Sequence, residues 1–447
     1  MIFPLPLTPF EYYYWCDDRP GYPTACPSEL EFTGVMDQEC FADAWQTALA
    51  RHPLLRARID DSQKWPAWQT GDCPLPEVDW ATAEKPIVDD LCQPIDLASG
   101  SGLRAWVRVS DTSTRLRLRI HHACCDGLGG IRFLEDLLLG YAQRYHRRAG
   151  PLLPAVDEQL LQHRAEVGFL LGQDTPHYRL TPRDVCQTAI HWARFLARRS
   201  LPLAAPAGVA QPPWPYLDER GFLTRPLDDP VEKRLRQIAR SARATFNDLL
   251  LRDLLQVVQA WNRRHHPTAR GWMRVNLPVN LRVTADQALP ATNRLSFAFL
   301  SRRARDCVDG QQLLESIRAE TRSVLENHSS LCFLGGLGFA SGIRGMLPRF
   351  LDGKRCMATI VLSNLGRVFG RTRLPRRDRR LVCGNVTLET IGGVPPIRPL
   401  TRGAIVVAKY AGEVSIHFRY DPHCFDPSQG EAFLDAYVAK LRETSGG

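Results

Sequence analysis

No run in the chain approaches the roughly 18 consecutive apolar residues that a membrane span needs, although 44% of its residues are hydrophobic. The N-terminus, Met1-Ile-Phe-Pro-Leu-Pro6, lacks a basic segment leading into an apolar core, which argues against a secretory leader. Cysteines number thirteen, an odd and scattered set without one Cys-x-x-Cys pair. That pattern excludes a regular disulfide framework and reads as reduced thiols in a cytoplasmic protein. No zinc-finger spacing, RNP-like motif or basic heptad region accompanies the net charge of +9, so nucleic acid is not an expected partner. A basic surface suits acidic partners, and a solvated basic surface with no dedicated partner accounts for the charge equally well. Internal repeats are also absent.

At 447 residues the chain is long for one core and suits two domains of about 200 residues each. The best boundary is the proline-rich stretch from Leu201 to Pro215, whose prolines forbid a regular element. It divides the chain into residues 1–200, a linker at 201–215 and residues 216–447. Both halves mix helices with antiparallel strands. In the first, Phe41, Ala44, Trp45, Ala48 and Leu49 form a helical stripe, and residues 103–110 and 114–120 read as paired strands. In the second, helices are expected over 230–243, 247–263 and 430–444. Strands are expected over 271–280 and 358–363, with a hairpin over 405–419 turning at Ala411-Gly412. Asn247 and Asp248 read as helix capping and packing residues, with Thr245 or Asn247 as the cap.

The most informative segment is His121-His-Ala-Cys-Cys-Asp-Gly127. It follows Thr114-Arg-Leu-Arg-Leu-Arg-Ile120, whose strict alternation is that of a half-buried strand with Leu116, Leu118 and Ile120 on the apolar face. Carried forward, the alternation sends His122 inward and His121 outward. A helical pattern with Ile131, Leu134, Leu137, Leu138 and Tyr141 on one stripe comes next. A histidine delivered inward at a strand end, just before a glycine turn, is well placed to act as a general base near neutral pH. A buried core histidine is the plainer alternative. The neighbouring Cys124 and Cys125 invite a metal or thiolate reading, but adjacent strand residues diverge, whereas metal ligands must converge. No metal site is expected, and the thiols read as small buried filler.

His121-His122-x-x-x-Asp126-Gly127 resembles the signature of the thioester-dependent acyltransferase superfamily that includes chloramphenicol acetyltransferase and the nonribosomal peptide condensation domains. Other segments resemble that superfamily in order: Leu7-Thr8-Pro9, Ala48 to Ala57, Thr245 to Leu250, Pro278-Val-Asn-Leu-Arg282 and Ser363-Asn-Leu-Gly366. The resemblance implies an α/β (α+β) fold of two similar lobes, each a mixed sheet flanked by helices, with an active channel at their interface. It implies that His122 is the base taking a proton from an alcohol or amine that attacks a thioester carbonyl. It also implies that Asp126 points away from the substrate and pairs with Arg282, rather than orienting the histidine as in a serine hydrolase. His121 is then a packing residue that steadies the turn, and Gly127 supplies a backbone conformation that a Cβ would obstruct. Ser363, Asn364 and Gly366 are substrate-binding candidates, with Asn364 able to meet an oxyanion or to serve only as a strand-end turn.

The expected activity is acyl transfer from acyl-coenzyme A or an acyl carrier protein to a small-molecule or lipid acceptor, with no permanently bound cofactor. The alternatives are a free-standing amide synthase and a catalytically silent pair of lobes that binds a carrier protein. The Asp-Phe-Gly-Trp-Gly element of the plant enzymes and the Pro-Leu-Trp element of the wax ester synthases are both missing. The arginine run from Arg371 to Arg380 suits coenzyme A phosphates or an acidic carrier, or a solvated loop. Residues 183–200 carry arginines beside aromatics, a pattern for membrane-surface contact or for packing within a lobe.

Overall fold

The computed structural model describes residues 2–71, 73–147, 153–166, 182–206, 220–326 and 329–446. It is a mixed α/β protein whose chain gathers into two compact units. The first unit comprises Met1–Arg179, Asn280–Leu295 and Arg367–Pro396; the second comprises Leu180–Val279, Ser296–Gly366 and Ile397–Gly447. The units are therefore not contiguous in sequence. A single cut at 201–215 would give Asn280–Leu295 and Arg367–Pro396 to the C-terminal half, whereas both pack with the first unit. Residues 207–215 of the expected linker lie outside the described residues.

The first unit is built on a seven-stranded sheet. Its spatial order is Arg376–Arg377, Arg380–Cys383, Val386–Gly393, Ala25–Thr33, Ser113–His121, Leu103–Val109 and Val78–Thr82. The strand that ends at His121 is thus internal. It pairs antiparallel with Ala25–Thr33 in unbroken register, from Thr33 opposite Ser113 to Ala25 opposite His121. Helix Gln38–Arg51 packs on helix Gly127–His146, with Gly140 facing Ala44.

Leu116 and Leu118 are fully buried, as alternation predicts. The opposite face is not solvated, however: Arg117 and Arg119 are also buried. The Arg117 guanidinium donates twice to Glu29 Oε2, at 3.0 and 2.7 Å, and Arg119 pairs with Asp89 at 2.5 Å. Buried charges persist only when paired in this way, so both faces of this strand are core.

The second unit holds a six-stranded sheet in the order Leu295–Arg302, Met273–Asn280, Ile360–Arg367, Gly403–Tyr410, Glu413–Tyr420 and Leu223–Leu227. The hairpin between Gly403–Tyr410 and Glu413–Tyr420 turns at Ala411 and Gly412, both at positive φ, as a tight two-residue connection requires. Helix Phe246–His265 is capped by Thr245, whose hydroxyl accepts from Asp248 N while Asp248 Oδ2 accepts from Thr245 N. Asp248 Oδ1 also accepts from Thr321 Oγ1 at 2.8 Å. Asp248 is fully engaged in capping and packing. No helix among the described residues is long and apolar enough to cross a membrane.

Candidate active site

Strand Ser113–His121 ends at the first histidine, and residues 122–124 form a turn before helix Gly127–His146. Backbone hydrogen bonds hold the turn at both ends: His121 N donates to Gly102 O, and His122 N to Thr24 O, each at 2.7 Å. Gly102 is needed for close approach, because a Cβ there would stand 2.4 Å from Cys124 Sγ.

Both histidines are buried, in different surroundings. His121 Nδ1 accepts from Ala123 N at 3.1 Å, which places its proton on Nε2, near Thr24 Oγ1 at 3.2 Å and Asp18 Oδ2 at 3.4 Å. Every polar atom of His121 thus serves the turn. His122 Nδ1 has no hydrogen-bond partner among the described residues. Its Nε2 lies 3.2 Å from Tyr14 Oη, and the two rings stack with centroids 4.0 Å apart and planes 12° from parallel. In so nearly parallel a stack the hydroxyl lies over the imidazole rather than along the in-plane lone pair of Nε2. Burial pushes the His122 imidazole down to about 4, outweighing its own backbone carbonyl, the Asp126 charge and Asn293, all of which favour the protonated form. His122 is therefore neutral at neutral pH.

Asp126 N-caps the helix, with Oδ1 accepting from Gly129 N at 2.8 Å. Arg282 closes on both carboxylate oxygens at 2.8 Å each, and Oδ2 also accepts from Arg294 N at 2.9 Å. A carboxylate offers about four lone-pair positions, so these four bonds leave none for an imidazole. Burial alone would raise the Asp126 carboxyl, but the Arg282 charge and the bonds from Arg282, Arg294 and Gly129 hold it below the usual carboxylate range.

Gly127 departs from expectation. It is exposed at the first helical position and has no positive φ. The glycine that cannot accept a side chain is Gly129, where a Cβ would come within 2.9 Å of both Cys125 Cβ and Thr292 O. Cys124 and Cys125 are buried, and burial pushes both thiols up, so neither offers a thiolate. Among the described residues, no group of three or more histidines, cysteines or carboxylates is arranged to hold a metal ion.

Ser363, Asn364 and Gly366 belong to the second unit. Asn364 is exposed and its Oδ1 accepts from Gly366 N at 2.9 Å, the bond of a local turn, while Gly366 sits at φ +64°.

Two residues at the histidine turn escape a reading of the sequence. Asn293 is buried and donates to the carbonyls of His122 and Ala123, at 2.8 and 2.9 Å, while its Oδ1 stays unpartnered among the described residues. Nothing in Pro290-Ala-Thr-Asn293 signals this task. Tyr14 lies on helix Pro9–Asp17, whose start is signalled by the capping box of Thr8 and Glu11.

His417, in the second unit, is also buried and pushed down to about 4, chiefly by burial, with Nδ1 on Thr224 Oγ1 at 2.9 Å. A drop from the ordinary 6.5 to about 4 corresponds to about 3 kcal/mol for each group. The folded value lies below the unfolded one, so this stability is complete above pH 6.5 and is lost as pH falls from there toward 4. We expect the melting temperature to decline between pH 6.5 and 5, before most carboxylates titrate, and His417→Gln to flatten that decline. An equally steep decline in the variant would contradict it.

A family model for the condensation domain matches residues 24–269, more than half of the chain. Uncharacterised proteins from two strains of Mycobacterium tuberculosis are each 25% identical over 386 residues, covering 81% of this chain and 83% of theirs. Among solved structures, the first condensation domain of the calcium-dependent antibiotic synthetase, in complex with a substrate analogue, has a TM-score of 0.70 at 16% identity, covering 99% of this chain and 96% of that one. The starter condensation domain of rhizomide synthetase, a mutant in complex with C8-CoA and Leu-SNAC, has a TM-score of 0.68 at 16% identity, covering 99% and 95%. Polyketide synthase associated protein 5 from Mycobacterium tuberculosis has a TM-score of 0.63 at 17% identity, covering 99% and 98%.

Proposed function

Since the chain belongs to the condensation-domain family, we propose that it transfers an acyl group from a thioester to an alcohol or amine, with His122 as general base. The observation that carries the reading is the buried, neutral imidazole of His122 at the end of an internal strand. In the proposed step the acceptor X–H loses its proton to Nε2 as the X–C bond forms at the thioester carbonyl. Collapse breaks the C–S bond, and the proton returns to the departing thiolate. Burial keeps the base form available at neutral pH, and the oxyanion formed beside the ring supplies the counter-charge that the imidazolium needs.

In this proposal Asp126 and Arg282 fix the start of helix Gly127–His146, and His121 fixes the turn. Asn364, with Ser363 and Gly366 beside it, is a substrate contact only if the donor or acceptor displaces its turn bond. The donor is acyl-coenzyme A or a carrier-bound acyl chain, since the rhizomide synthetase domain is described with C8-CoA. Arg371, Arg377 and Arg379 are exposed around the turn at Asp378 and suit donor phosphates or an acidic carrier. An ester is the first reading of the product. An amide is the second, favoured by the aminoacyl thioester analogue in the rhizomide synthetase domain. We place the reaction in the cytoplasm, on the thirteen scattered cysteines.

The test is incubation with a panel of acyl-coenzyme A donors and a cell extract, with mass spectrometry to find what gains an acyl group and His122→Ala as control. We expect acylated products with the native protein and none above background with the variant. A complete absence of acylated product would favour the silent, carrier-binding alternative.

A further inference from the structure

Within the second unit, helix Leu331–Gly342 carries no charged residue, yet only Phe333, Leu337 and Ser341 along it are buried. An uncharged helix ordinarily lies inside a core. Part of this one is covered by helix Pro182–Ala197. Trp192 Nε1 donates to Cys332 O at 3.0 Å, and its ring stacks on Phe333 with planes 20° apart. Gly336 makes the contact possible, because a Cβ there would stand 1.8 Å from Trp192 Nε1. The aromatic side of helix Pro182–Ala197 is thereby used in packing, with Phe195 also turned against Phe299.

What faces outward is apolar as well. Eleven large hydrophobic side chains are exposed among the described residues, and five of them fall on this helix pair and the turn after it: Ile190, Leu196, Phe339, Ile343 and Met346. Phe339 is 67% exposed, an unusual position for a phenylalanine with no partner to meet. The charge near them in sequence is predominantly positive. Residues 182–199 and 329–355 contain eight basic residues against two acidic ones, Asp184 and Asp352. Arg194, Arg199, Arg344 and Arg349 are exposed.

We propose that this face binds the surface of an anionic lipid bilayer. The five apolar side chains enter the boundary between headgroups and acyl chains, and the four arginines meet lipid phosphates. Neither helix spans the bilayer. A second copy of the chain is the poorer occupant, because a two-fold contact would bring the same arginine-rich face against itself. The proposal does not depend on the acyltransfer reading, since every residue it uses lies outside the histidine turn.

The full chain is tested by co-sedimentation with vesicles of phosphatidylcholine alone and of phosphatidylcholine with phosphatidylglycerol. We expect binding to the anionic vesicles that weakens with added salt. Replacing Arg344 and Arg349 by glutamine should weaken it about 30-fold. Phe339→Ser with Ile343→Ser should weaken binding with no loss of melting temperature, these side chains being exposed. No binding to either vesicle overturns the proposal, as does undiminished binding by both double variants. A concentration-dependent dimer that Phe339→Ser dissolves, without vesicle binding, overturns it in favour of self-association.

Discussion

His122→Ala should lower the rate of acyl transfer by about 10²–10⁴-fold, the usual contribution of a positioned proton-transfer group, while the protein remains folded. The side chain contributes little to holding the turn: its Nδ1 is unpartnered among the described residues, and its contacts with Tyr14 are a ring stack and one poorly directed hydrogen bond. The turn is carried by backbone bonds from His121 and His122 and by the Asn293 amide, none of which needs the imidazole of His122. His121→Ala should do the reverse. It removes the acceptor for Ala123 N and the partner of Thr24 and Asp18, so melting temperature falls more and turnover less. Turnover and thermal melting measured on both variants decide the matter; equal loss of turnover in two folded variants would remove His122 from its role. Tyr14 provides an internal control. Tyr14→Phe keeps the stack and should retain most activity, whereas Tyr14→Ala frees the imidazole plane and should lower kcat with little change in KM.

Strand Ser113–His121 is legible because apolar residues alternate from Thr114 to Ile120, and the hairpin is legible from the alternation of Val414, Ile416 and Phe418 and from its Ala-Gly turn. Strand Ala25–Thr33, the direct partner of the histidine strand, is not. Glu29 and Glu31 alternate with Leu30 and Phe32, but Pro27 and Ser28 break the pattern after these few residues, and Glu29 becomes a core residue only because Arg117, distant in sequence, arrives opposite it. The same blindness makes Arg117 and Arg119 read as solvent-facing. Helix Leu331–Gly342 is invisible to periodicity for a different reason: it is apolar on every side and contains four glycines, so no face stands out. The interleaving of the two units is beyond a local reading altogether. Residues 280–295 look like a continuation of their neighbours, and nothing in their order reveals that Ala291 N donates to His52 Nδ1. Of the candidate site, His122 and Asp126 stand out through a short motif, and the pairing of Asp126 with Arg282 through a resemblance to the family. Asn293 and Tyr14 do not, since each acts through a contact that only tertiary structure creates.

The second large effect concerns Asp126 and Arg282. Asp126 is almost wholly buried, and the Arg282 side chain is 21% exposed. Breaking a buried pair from one side leaves an uncompensated charge, at about 3–5 kcal/mol. Asp126→Asn should approach that figure, because the amide can still cap Gly129 but presents an N–H to a guanidinium that has only donors. Arg282→Met leaves the carboxylate with its two backbone donors, Gly129 and Arg294, and should cost less. The double variant Asp126→Asn with Arg282→Met should cost clearly less than the two singles added together, the sign of a direct pair. Acid melting gives a second check. The folded carboxyl titrates below its unfolded value, so the pair's contribution is complete above pH 4 and is lost as pH falls through the folded value. Both single variants should lose that component. A large fall in turnover with unchanged melting in Asp126→Asn would instead assign the carboxylate to orienting His122, against a geometry in which all four of its acceptor positions are already taken.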